Sequence, residues 1–156
     1  MQRRHYNVFL DQSLLPDLVV CSAGSYPKAK GHAVHRNTVT EYQVAYCIEG
    51  VGSIQCEGKT REVYPGCIFI NMPGHPHHYE SDSSNAWTVY WVHFVGEAAS
   101  RYFELMNCKP SEPAFHIGLN QRLIDIFEDL LHEIALPEKF HQAAAVAHTH
   151  LILSTV

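Results

Sequence analysis

The sequence predicts a mainly β domain, an antiparallel sandwich or small barrel, followed by a hairpin of helices. Residues 18–95 contain short apolar or alternating segments separated by Gly, Pro and polar turns, a spacing typical of antiparallel all-β domains. Residues 97–156 instead repeat their apolar side chains at the three- and four-residue spacing of helices. No helical crossover interrupts the strand segments, which excludes a parallel sheet.

Seven strands are predicted in the first half of the chain. The segment 42–48 alternates between an apolar face that begins with Tyr42 and a second face that carries Gln43. The segment 87–95 alternates in the same way and puts Trp91 and His93 on one face. The predicted strands are 18–22, 42–48, 53–57, 61–64, 67–71, 77–80 and 87–95, and the residues AGSYP at 23–27 are predicted to form a turn.

Three helices are predicted in the second half, at 97–106, 119–134 and 138–153. The middle helix has one continuous apolar face, which we expect to pack against the sheet. Pro137 separates the last two helices, so they should form a hairpin. Small or apolar side chains on the last helix suit close helix approach, and we expect a homodimer interface at Ala143, Ala144, Ala147 and Leu151.

Composition limits the function classes. The chain has 156 residues, 46% of them hydrophobic and 17% charged, and a formal net charge of −5, which fits one folded domain and excludes a disordered chain. It has no apolar run that could span a membrane and no signal-peptide pattern, so we expect a cytoplasmic protein without a membrane partner. Five scattered cysteines predict reduced, mostly buried thiols. Scattered basic residues argue against direct binding to DNA by these residues.

Three ordered motifs carry a family resemblance. They are YxxAYxxEGxG at 42–52, PGxIFIxxPGxxHxY at 65–79 and WxxYWVHFxG at 87–96. The second motif resembles the second motif of the cupin barrels, and the ordered series resembles the N-terminal effector domain of AraC-family transcriptional regulators. The resemblance implies a cupin-like jelly-roll barrel at 17–96 that binds a small effector, often a sugar. It also implies a mobile arm at 1–16 that closes over the ligand and a helical dimerisation region at 97–156.

The same resemblance implies that DNA is bound by a further domain, which residues 1–156 do not include. In the family, two helix-turn-helix units follow the sensor domain, and residues 1–156 include neither a recognition helix nor a basic run. We therefore expect this chain to be a sensor whose DNA contacts are made by a C-terminal domain absent from it.

The candidate ligand residues come from the resemblance and from the chemistry of saccharide binding, which uses aromatic faces and planar polar groups. Trp91 matches the family position that stacks on a sugar ring, and Tyr79 matches a position whose hydroxyl bonds the ligand. Arg36 lies near the family's pocket arginine. The fork of donors of an arginine suits vicinal hydroxyls or a carboxylate. The full set of candidates is Trp91, Tyr79, Arg36, His77, Gln43, Tyr26 and His93. Arm residues Arg3, Arg4, Tyr6 and Phe9 suit a strap with apolar and cationic contacts.

The twelve histidines raise a metal-binding alternative. Metal-bearing cupins use a His-x-His pair and a following Glu, whereas His32 and His35 are separated by two residues and should point to opposite faces of a strand. Gln43 stands where the Glu is expected, and Glu41 has the same strand parity, which keeps the alternative open. We expect no metal, no cofactor and no catalytic residue; the alternative is a metal-dependent cupin enzyme such as a sugar isomerase or dioxygenase.

Overall fold

A computed structural model of the chain describes residues 1–8, 17–136 and 141–156. Within these ranges the chain forms ten strands and three helices. The strands are β1 (Arg4–Asn7), β2 (Val19–Tyr26), β3 (Ala33–Arg36), β4 (Tyr42–Glu49), β5 (Gly52–Cys56), β6 (Lys59–Val63), β7 (Cys67–Asn71), β8 (His77–Ser81), β9 (Thr88–Val95) and β10 (Ala114–His116). The helices are α1 (Glu97–Leu105), α2 (Gln121–Ala135) and α3 (His141–Thr155).

The strands form two sheets in which every described pairing is antiparallel. The larger sheet has the order β1-β2-β9-β4-β7-β10, and the smaller has the order β3-β8-β5-β6. Side chains from both sheets meet in one buried apolar cluster, so the sheets pack face to face. The prediction of an antiparallel β domain followed by helices is confirmed.

Aromatic side chains fill part of the space between the sheets. Trp87 is completely buried and stacks on Phe69 with ring centroids 5.3 Å apart. Tyr79 of the smaller sheet contacts both rings, at 5.4 Å from Phe69 and 6.2 Å from Trp87. This packing holds the two sheets together on one side of the interior and leaves a cavity beside it.

The helices cover the other face of the larger sheet. The predicted apolar stripe of α2 is buried there, and Phe127 stacks on Tyr90 of β9 with ring centroids 5.5 Å apart. Asn120 caps α2 by accepting a hydrogen bond from the Leu123 amide at 3.3 Å. None of the helices in the described ranges is long and apolar enough to cross a membrane.

Three strands escaped the sequence prediction, and each lies at the edge of a sheet. These are β1 and β10 at the two ends of the larger sheet and β3 at one end of the smaller. They contain only three or four residues, too few to show an alternation, and pairing with a longer neighbour fixes them instead.

The predicted turn at 23–27 is wrong, because β2 continues through it to Tyr26. The pairing of β2 with β9 shifts at Cys21, so that this residue is an unpaired bulge between Val20 and Ser22. The bulge lets Val20 and Ala23 pack on the helix-facing core although they differ in parity. Ser22 and Tyr26 consequently face the space between the sheets.

The N-terminal strand β1 is anchored to the helices by Arg4. Arg4 points to the helices, where its guanidinium donates hydrogen bonds of 2.8 and 2.6 Å to both carboxylate oxygens of Glu128 on α2. Tyr90 hydrogen-bonds the same carboxylate, and the Arg4 contact lowers the pKa of Glu128. Residues 9–16 of the predicted arm, including Phe9, lie outside the described residues.

The histidines differ widely in environment. His77 on β8 is 5% exposed, and its Nδ1 donates to the His75 carbonyl at 3.3 Å. Burial lowers the pKa of His77 to about 4. His132 on α2 is exposed.

We expect Arg4→Ala to lower the melting temperature by about 2–4 °C, because a partly buried bidentate pair contributes about 1 kcal/mol. The matched control is Arg101→Ala, which removes a more exposed arginine paired with Glu97 along α1 and should shift the melting temperature much less. Thermal unfolding followed by circular dichroism measures both. Equal shifts in the two variants would contradict the assigned role of the Arg4–Glu128 pair.

Acid should destabilise the fold partly through His77. An unfolded histidine binds a proton near pH ~6.5, while His77 stays neutral to about pH 4. Between these values the unfolded chain binds more protons, so the free energy of unfolding falls as the pH falls through this window. His77→Gln should therefore flatten the decline of melting temperature with decreasing pH, whereas exposed His132→Gln should leave it as in the parent chain. An unchanged slope in His77→Gln would disprove the contribution.

Candidate functional site

A cavity of about 340 Å³ lies between the two sheets. Its volume is within the range of small-molecule sites. Strands of both sheets contribute to its lining, with buried side chains on the inner walls and exposed ones at the mouth. The lining residues are His5, Asn7, Ser22, Tyr26, His32, Val34, Arg36, Glu41, Gln43, Ala45, Phe69, Tyr79, Val89, Trp91 and His93.

Six of the seven candidate ligand residues line this cavity. They come from five different strands and are Trp91, Tyr79, Arg36, Gln43, Tyr26 and His93. His77 differs, since it does not line the cavity; it is buried beside Tyr79 on the same face of β8, with the two rings parallel within 7° and 5.8 Å apart. Its Nε2 has no hydrogen-bond partner among the described residues. His77 therefore packs against a lining residue instead of facing the cavity.

Trp91 is the largest side chain on the cavity wall. It is 5% exposed and touches three other rings, those of His5, Tyr26 and His93, at centroid distances of 4.9, 5.7 and 5.2 Å. Gly24 on the neighbouring strand makes room for the indole, since a Cβ there would lie 2.6 Å from the ring. The indole nitrogen has no hydrogen-bond partner in the described part of the chain.

A polar group of side chains adjoins the aromatic wall. The oxygen of the Gln43 side chain accepts a hydrogen bond from Asn71, so the Gln43 amide nitrogen is the donor end, and it donates to Tyr79. Burial raises the pKa of the Tyr79 phenol, while a hydrogen bond from Gln43 and the charge of Arg36 act in the opposite direction. Tyr79 is therefore a neutral hydroxyl at the cavity wall.

One carboxylate lies on the cavity wall. Glu41 accepts a hydrogen bond of 2.9 Å from Nδ1 of His93. This bond lowers the pKa of Glu41, and the Cys21 thiol and the Arg36 charge lower it further. Glu41 thus holds the His93 ring in place as an ionised group.

His32 is held as a neutral donor. Its Nδ1 accepts a hydrogen bond of 3.1 Å from the indole nitrogen of Trp87, so the ring proton resides on Nε2. Burial, and to a lesser extent the charge of Arg3, lowers the pKa of His32 to about 4. His35, three positions along, is exposed, bonds Asn37 and does not line the cavity.

Sequence reasoning missed five polar lining residues as ligand candidates. His5 and Asn7 lie on β1, which has no recognisable strand pattern, and Ser22 faces inward only because of the bulge at Cys21. His32 precedes the equally unpredicted strand β3. Glu41 was identifiable, since it shares the strand parity of Gln43.

The described lining of the cavity includes three histidines and one carboxylate. Among the described residues no three His, Cys, Asp or Glu side chains converge well enough to hold a metal ion. His32 Nδ1 is engaged by Trp87, and Glu41 by His93.

Comparison with known proteins agrees with this geometry. A family model described as an AraC-like ligand binding domain matches residues 21–153. The MmsAB operon regulatory protein of Pseudomonas aeruginosa is 32% identical over 119 residues, which cover 74% of this chain and 38% of that protein. The chain therefore spans well under half the length of this regulator.

Solved structures bear on the fold alone. The protein YhaK from Escherichia coli superposes with a TM-score of 0.52 at 13% identity, covering 76% of this chain and 52% of that one. A cupin 2 conserved barrel domain protein from Leptotrichia buccalis has a TM-score of 0.44 at 13% identity, over 74% and 44% of the two chains. Sequence, fold and cavity together place this chain in the family of AraC-like ligand binding domains, with a cupin-like jelly roll followed by a helical hairpin.

Proposed function

We propose that this chain senses a small saccharide in the cavity between its sheets and relays its presence to the DNA binding of a regulator. The observation that carries the proposal is the wall formed by Trp91 beside Gln43, Tyr79 and Arg36. An indole face suits the C–H surface of a sugar ring, and neighbouring planar polar groups suit its hydroxyls. The cytoplasm, where DNA is accessible, is the compartment for such a protein.

The N-terminal strand offers a route from ligand to helices. Alternate residues of β1 face opposite ways, so that His5 and Asn7 line the cavity while Arg4 bonds Glu128 on α2. A ligand that contacts His5 or Asn7 would shift the preferred position of β1, and Arg4 would transmit that shift to α2. In this proposal, the N-terminal arm acts through this shift of β1.

The last helix supplies the proposed dimer surface. Ala145, Val146 and Ile152 of α3 are buried against the rest of the fold. Ala143, Ala147 and Leu151 follow one another at four-residue spacing on an exposed face, with Ala144 partly buried beside them. A second copy of the chain packed on this face would join two sensors into one regulator.

DNA contact belongs, in this proposal, to a separate DNA-binding domain. The relative in Pseudomonas aeruginosa is named as an operon regulatory protein and is much longer than the matched region. The net charge of −5 suits a sensor that does not itself bind a phosphate backbone. The domain would then act on DNA only through its dimer geometry.

Trp91→Ala should weaken saccharide binding by about a hundredfold, because the ring's contact and burial contribute about 2–3 kcal/mol. A thermal-shift panel of pentoses, hexoses, uronic acids and small oligosaccharides identifies the strongest ligand, and calorimetry then measures its affinity.

Two variants serve as controls for this measurement. Trp91→Phe keeps an aromatic face and should retain part of the affinity. Tyr90→Phe alters the next residue, whose side chain points to the helices, and should bind as the parent chain does. Undiminished affinity in Trp91→Ala would refute the stacking role, and a panel without any stabilising compound would refute the saccharide class.

Leu151→Glu should convert the dimer to a monomer, since it puts a charge into the proposed apolar interface. Leu151 is 43% exposed and Leu105, at the end of α1, is 83% exposed, so Leu105→Glu is a matched control at an exposed leucine elsewhere. Sedimentation velocity of the three proteins measures the mass. A parent chain that stays monomeric at high concentration, or a dimer that survives Leu151→Glu, argues against this interface.

A further inference from the structure

The cavity carries an arginine without a counter-ion. Arg36 lines the mouth, and it forms no ion pair or hydrogen bond with any of the described side chains. It is nevertheless close enough for its charge to act on Glu41, His77 and Tyr79. A guanidinium at the rim of a cavity, with its five donors uncommitted, is available to a ligand.

The inner wall also presents hydrogen-bond donors. His32 has its proton on Nε2, Gln43 has its oxygen occupied by Asn71, and the indole nitrogen of Trp91 is buried without a partner. Each of these groups can only donate to a ligand in the arrangement observed. A ligand that fills the cavity must therefore supply acceptors, since unpaired buried donors are costly.

One carboxylate is found among the described lining residues. Glu41 is ionised and already accepts hydrogen bonds from His93 and Cys21, so part of its acceptor capacity is used within the protein.

A second cluster of positive charge adjoins the cavity. Tyr26 and His32 are shared with a neighbouring cleft of about 290 Å³, whose described lining also includes Arg3 and Lys30 and contains no carboxylate. Arg3 stacks over the Tyr26 ring with its Cζ 4.3 Å from the centroid. The charges of Arg3 and Lys30 beside the cavity, added to that of Arg36, favour an anion over a neutral molecule.

We propose that the effector is a sugar acid, a polyhydroxylated carboxylate whose carboxylate group is bound by Arg36 while its ring packs on Trp91. The inference rests on the proposed function and narrows its ligand class. A carboxylate offers two parallel acceptors that match the guanidinium fork, whereas a hydroxyl at the same place offers a single, uncharged contact. Arg36 thus determines specificity, and Trp91 binds any saccharide of suitable shape.

The test compares sugars that differ only in this group. Calorimetry measures D-glucuronate against D-glucose and D-galacturonate against D-galactose, with the parent chain and with Arg36→Gln, Arg36→Lys and Arg101→Gln. In the parent chain at least one uronate should bind about tenfold to a hundredfold more tightly than its neutral partner. Arg36→Gln should abolish this preference, Arg36→Lys should keep part of it, and Arg101→Gln, on the surface of α1, should keep all of it. Added salt should weaken uronate binding and leave hexose binding unchanged.

The outcomes separate this inference from the broader proposal. If the neutral sugars bind as tightly as the uronates or more tightly, and Trp91→Ala abolishes this binding, the assignment of a sugar acid as effector is overturned. Saccharide sensing then still stands. A uronate preference that survives Arg36→Gln overturns the role of Arg36. Failure of all four sugars to bind overturns the inference and counts against saccharide sensing as well.

Discussion

The double burial of β9 is the constraint on which the rest of the fold depends. This strand lies between β2 and β4 in the middle of the larger sheet, and seven of its eight residues are buried. On one face Tyr90, Val92 and Phe94 form the floor for the helices, and on the other Val89 and Trp91 face the smaller sheet. Because alternate side chains serve two cores, a one-residue slip of β9 would exchange the ligand-facing and helix-facing sets. The cavity and the helical layer are therefore fixed by the same register.

The interior of the sandwich is divided between packing and binding. Trp87 and Trp91 lie on the same face of the chain, four residues apart, but Trp87 is sealed by Phe69 and His32 whereas Trp91 borders empty volume. Two small residues mark this division. Gly24 leaves space beside Trp91, and Gly52 does so beside Trp87, where a Cβ would overlap the ring. Large aromatic side chains thus require glycines on the strands that face or flank them.

Long, regular segments were predictable from the sequence and short ones were not. The alternation at 42–48 and 87–95 correctly divided Val44 and Tyr46 from Gln43, and Tyr90 from Trp91, because both strands are buried on two faces and carry a clear pattern. The apolar stripe of α2 was equally clear. In contrast β1, β3 and β10 exist through pairing with neighbours, a non-local effect that no window of sequence contains. The cavity residues on or beside those strands, His5 and His32, were missed for the same reason.

The bulge at Cys21 has a consequence for how the cavity can change. Because side chains alternate along a strand, the single unpaired residue inverts the parity of everything that follows it in β2. If Cys21 were instead paired as a regular strand residue, with Val20 still held in the core, then Cys21, Ala23 and Ser25 would face the cavity in place of Ser22, Gly24 and Tyr26. The indole of Trp91 would then lose the gap that Gly24 provides. The chemistry that β2 offers to the cavity therefore depends on which of its residues are paired as well as on their identity.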